Sequence, residues 1–86
     1  MVGKITKCDR TGDSVLAGYD TEKVETVEVA QKELTKWLTE CITKYGKEPP
    51  VFGQRMGQTE FVPFDTDKDS IKDFAEVLVH PGFVGG

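Results

Sequence analysis

The sequence predicts an α+β fold, a mixed sheet of four to five short strands with one long helix across one face. Three observations predict it. Apolar residues recur in steps of three and four from Val27 to Tyr45, tracing one helical face. Short runs rich in β-branched and aromatic residues, bounded by Gly, Pro and Asp, lie on both sides of that segment. A chain of 86 residues has room for one domain with one modest core, so the helical stripe and the sheet face must cover each other.

Ile5 alternates with polar Lys4 and Thr6 in "VGKITKC", and the apolar "SVLAGY" follows after "DRTGD". Thr11-Gly12-Asp13 supplies turn chemistry, because Gly tolerates positive φ and Asp bonds its own backbone, so the two runs read as a β-hairpin. The helix carries Val27, Ala30, Leu34, Trp37, Leu38, Cys41, Ile42 and Tyr45 on one face, and Gly46 with Pro49-Pro50 predicts its stop. Asp20 or Thr21 is the expected cap. The β-branched Val24, Val27 and Val29 predict a frayed or delayed first turn. Glu28 before Lys32 and Glu40 before Lys44 have the favourable i,i+4 order of a solvated face.

Beyond Pro50, "VFGQRM" and "TEFVPF" read as two strands around a turn at Gly57-Gln58. Pro63 cannot donate to a ladder and predicts an edge strand there. "DTDKDSIKDF" offers Asp and Ser caps for one short helical turn, with Ile71 and Phe74 three apart. "AEVLVH" closes as the last strand, ended by Pro81. The expected division is a domain over residues 1–80 and a flexible tail over 81–86.

The formal charge of −4 and pI near 4.9 lack the clustered Lys and Arg that phosphate binding requires, which argues against nucleic acid as a partner. No apolar run approaches the ~20 residues of a membrane span. "MVGKITKCDR" has neither an apolar core segment nor a small-residue cleavage site, so the expected compartment is the cytoplasm. Cys8 and Cys41 lie far apart with no C-x-x-C spacing, the pattern of two ordinary thiols.

The chain closes on "VLVHPGFVGG". With the strand order and the size, this ending resembles the ubiquitin-like β-grasp proteins. It is most similar to the bacterial sulfur carriers of thiamin and molybdopterin biosynthesis and to bacterial ubiquitin-like modifiers. Glu76 to Gly86 carries the specific likeness. The resemblance implies a carrier or modifier that is itself a substrate and not an enzyme. In that family an E1-like adenylating enzyme activates the terminal carboxylate with ATP. A sulfur-acceptor enzyme or a conjugation target then receives the product, and the carrier holds no cofactor of its own. Carried over, Gly86 is the reacting residue and Gly85 keeps the enzyme's channel clear, on a tail of Pro81, Gly82, Phe83 and Val84. Glycine suits such a thread because it has no Cβ and lets enzyme atoms approach the backbone closely. His80-Pro81-Gly82 departs from the family, where two prolines or an apolar run are commoner.

Other chemistry is weaker. Asp65, Asp67, Asp69, Asp73 and Glu76 fall at positions 1, 3, 5, 9 and 12 of a calcium-binding EF-hand loop. Ser70 stands where that loop needs Gly, Lys72 stands at a normally apolar position, and the flanking segments read as strands and not helices. The competing reading is a polar surface turn. His80 is the only histidine, and a nucleophilic dyad would have to be assembled with Cys8, Cys41 or Ser14 across the fold. "GQRMGQ" lacks the pattern of a phosphate-cradling loop. A second class of function remains: a non-catalytic interaction or assembly module, such as a structural protein of a phage or mobile element. It would dock a partner through its sheet or an edge strand, with the tail irrelevant.

Overall fold

The computed structural model describes residues 1–9 and 12–80. The elements run β1 (Val2–Asp9), β2 (Gly12–Asp20), α1 (Val24–Tyr45), β3 (Val51–Arg55), β4 (Phe61–Pro63), a 3-10 turn (Ile71–Asp73) and β5 (Phe74–Val79). The five strands form one mixed sheet in the order β2-β1-β5-β3-β4. β5 is central, parallel to β1 and antiparallel to β3. The outer pairs, β1 with β2 and β3 with β4, are antiparallel. One helix across a five-stranded mixed sheet is the α+β arrangement expected from the sequence and is compatible with a β-grasp. Among the described residues no helix is long and apolar enough to cross a membrane.

The helix stripe meets one sheet face. Ala30, Leu34 and Leu38 are buried against Ile5, Tyr19, Val51, Val77 and Val79, with Phe64, Ile71 and Phe74 closing the same cluster. Simple alternation would send Phe74 to the opposite face from Val77. A β-bulge prevents this: Gln54 pairs with Glu76 but Arg55 pairs with Phe74, so Ala75 is the extra residue and Phe74 turns inward to full burial. There its ring packs edge-on to Phe64 with centroids 4.9 Å apart. A second bulge lies in β2, where Ile5 pairs with Ala17 but Thr6 pairs with Val15. Leu16 is the extra residue, and Val15 turns outward to 61% exposure. Gly53 is obligatory beneath this packing, since a Cβ there would fall on the Phe74 ring.

Several expectations need correction. The helix begins at Val24 with Lys23 as its N-cap, so neither Asp20 nor Thr21 caps it and the valines do not delay it. Thr26 explains why: its hydroxyl accepts from the Asp20 amide at 2.8 Å and donates to the Lys23 carbonyl at 2.7 Å, tying the first turn to the end of β2. Ile42 and Tyr45 lie on the predicted stripe yet remain exposed. Glu28, Lys32, Glu40 and Lys44 are exposed, the solvated face expected of them, and the close ion pairs of the described residues are Met1–Asp20, Lys4–Glu76 and Arg55–Asp69. Phe74 opens β5 and does not belong to the short helical turn. Gly12 and Asp13 already pair within the hairpin, while Thr11 lies outside the described residues. The helix stop is as expected: Gly46 has φ 82° and donates to the Ile42 carbonyl at 2.8 Å.

Candidate functional site

Pro81, Gly82, Phe83, Val84, Gly85 and Gly86 lie outside the described residues. β5 is held on both edges by β1 and β3, and the amide after its last residue, that of His80, donates to the Pro50 carbonyl at 3.1 Å. The His80 ring stands edge-on to Phe52, with centroids 5.7 Å apart.

Phe52 and His80 belong to the sheet face turned away from the helix. Register places two rows of side chains on it. One row runs Val15, Thr6, Leu78, Phe52 and Pro63 across all five strands, apolar throughout except for the threonine hydroxyl. The next row carries Lys4, Glu76, Gln54 and Phe61. Between the rows, Thr6 is buried and donates to Glu76 Oε2 at 2.8 Å, while Lys4 Nζ lies 3.7 Å from the same oxygen. One oxygen of the carboxylate is thus held by a hydroxyl and an ammonium beside the apolar row. Phe61 is 40% exposed and Pro63 is exposed, so the stripe ends on uncovered carbon at the β4 edge. The face thus combines apolar carbon with one fixed polar group beside it. The alternation of Phe52 and Gln54 against Val51 and Gly53 was the available signal for it. The sequence allows docking through the sheet, but the order of the strands decides which of these residues are neighbours.

The five acids of the calcium reading are spread apart. Asp65 Oδ1 accepts from the Asp67 amide at 2.9 Å, and Asp69 Oδ2 accepts from the Asp65 amide at 2.8 Å, so these carboxylates organise their own turn. Asp69 also faces Arg55, Asp73 ends the 3-10 turn, and Glu76 sits on the sheet with Thr6 and Lys4. Among the described residues no group of three or more His, Cys, Asp or Glu side chains could hold a metal ion.

Cys41 is buried on the helix, and burial followed by the Glu40 carboxylate pushes its thiol above the ordinary 9.0, against opposing pulls from Lys44 and Lys7. That is the setting of an inert thiol and not of a nucleophile. Trp37 has its Nε1 buried without a hydrogen-bond partner among the described residues, under the ammonium of Lys7 4.7 Å from the ring centroid. Compared with family models, curated proteins and solved structures, the chain matches none of them.

Proposed function

We propose that this chain is a ubiquitin-like β-grasp carrier or modifier whose Gly86 carboxylate is activated by an ATP-dependent adenylating enzyme for sulfur transfer or conjugation. The observation that supports this reading is the position of β5. It is the central strand of the sheet, and the segment ending in Gly85-Gly86 follows directly from it. A domain so arranged fastens the root of the tail to its most buried strand. In the proposed reaction a Gly86 carboxylate oxygen attacks the α-phosphorus of ATP and releases pyrophosphate. A sulfur nucleophile or an amine then displaces AMP from the acyl carbon. The open sheet face supplies contact area for the enzyme.

The test is to mix the full chain with a candidate adenylating enzyme and ATP and to measure the product mass. A thiocarboxylate or conjugate is expected, and deletion of Gly86 is expected to abolish it. Equal reaction of the deleted form defeats the reading.

The apolar row Val15, Leu78, Phe52 and Pro63 favours a second reading, a docking module that uses this face with no role for the tail. Recovery of the same partner with and without residues 81–86, and its loss on Leu78→Asp, would select the module over the carrier.

A further inference from the structure

Helix α1 and the turn after β4 do not meet flush. Between them lies a cleft of about 210 Å³, with Leu38 and Ile42 supplying carbon and Thr35, Thr39, Glu48, Thr66 and Asp67 supplying oxygen. The hydroxyl protons in it are already committed. Thr35 Oγ1 donates to the Gln31 carbonyl at 3.0 Å and Thr39 Oγ1 to the Thr35 carbonyl at 2.9 Å, both back along the helix. Thr66 Oγ1 donates to Glu48 Oε1 at 3.1 Å. A hydroxyl has one proton and two lone pairs, and an ionised carboxylate only accepts. The lining side chains, from α1, from Glu48 beyond its end and from the turn after β4, therefore present acceptors and no uncommitted donor. Among the described residues no Lys, Arg, Asn or Gln lines the cleft. Neither Glu48 nor Asp67 belongs to an ion pair among the described residues.

We propose that this cleft is a binding site for a primary alkylammonium group. Three N–H donors on one charged nitrogen match a set of acceptors that lacks donors, and the attached methylenes lie against Leu38 and Ile42. An anion is repelled there. A neutral alcohol meets the same carbon surface with one donor and no charge. The volume is below the roughly 300–1,000 Å³ of pockets that take drug-sized ligands, which suits a short amine-tipped chain. A lysine side chain of another protein and a free aliphatic diamine both carry this group. The inference does not depend on the tail or on the open sheet face.

The experiment follows backbone amide nitrogen–proton spectra of the full chain at low ionic strength. The probes are n-butylammonium, cadaverine and the peptide acetyl-Gly-Lys-Gly-amide, with n-butanol and the Nε-acetylated peptide as controls. Shifts are expected to centre on Thr35, Thr39, Ile42 and Thr66, with both controls binding at least roughly tenfold more weakly. Tighter binding of cadaverine than of the lysine peptide assigns a free diamine, and the reverse order assigns a protein lysine. Combined Glu48→Gln and Asp67→Asn is expected to weaken the response by roughly tenfold or more while the remaining spectrum is retained. Thr66→Val, which preserves both charges, is the second variant and is expected to weaken it by a smaller factor. Equal response to n-butanol, unaltered affinity in the charge-neutral variant, or shifts spread equally over the distant helix acids Glu25 and Glu28 overturns the proposal.

Discussion

Tyr19 joins the hairpin to the last strand through one side chain. Its ring occupies the space a Cβ at Gly3 would need, 2.5 Å from that position, and its hydroxyl donates to the Phe74 carbonyl at 2.7 Å across 55 positions of chain. Burial, and after it the Glu76 carboxylate, pushes the phenol up to about 12 from an ordinary 10.0. The neutral phenol is the form the fold favours. Its contribution is therefore fully present below pH 10.0 and declines as pH rises from there through about 12, while the unfolded chain ionises first. The Cys41 thiol is raised for the same leading reason and adds to the decline from pH 9.0 upward. Tyr19→Phe is expected to cost about 1–2 kcal/mol at neutral pH, because the buried Phe74 carbonyl loses its donor. The variant should also lose stability less steeply above pH 10.0 than the parent. Urea unfolding followed by Trp37 fluorescence across that range checks both; parallel alkaline declines would show that the phenol does not set the slope.

At the scale of elements, the start of α1 is the least optimised junction. Lys23 is extended, with φ −118° and ψ 94°, and its side chain makes no cap hydrogen bond. Lys23→Ser places an acceptor at an N-cap already in the right conformation, and a gain of about 0.5–1 kcal/mol is expected. For a domain of this size that corresponds to a rise of roughly 2–8 °C in Tm, measurable by circular dichroism. The body and stop of this helix were legible, because the three-and-four spacing and Gly46 are local signals. Its start was not, because Thr26 anchors it to Asp20 through a contact that propensity does not contain. The bulges at Leu16 and Ala75 were equally hidden. An extra residue is a property of two paired strands, and alternation alone puts Val15 inside and Phe74 outside. The open-face stripe and the alkylammonium cleft share that limit: each is assembled from residues of several segments, and only the tail motif could be read in one stretch.

At the scale of the whole molecule, the one-helix, mixed-sheet plan followed from having a single apolar stripe and a single sheet face to cover it. β5 as the middle strand did not follow from any periodicity. That position lays the first and last strands of the described domain side by side, with Lys4 beside Glu76 and Lys7 beside Val79 in parallel register, so Met1 and His80 lie at opposite ends of the shared ladder. Mechanical load is thereby directed in a particular way. A force drawing Met1 and His80 apart slides β1 along β5 lengthwise, so the ladder between them must rupture together. A force between Met1 and Asp20 instead opens β1 from β2 at their shared end, where Val2 pairs with Asp20, one rung at a time. Single-molecule stretching is expected to require markedly more tension for the first attachment than for the second. Whatever machine tugs this protein by the end of its last strand would meet the stiffest seam in the molecule.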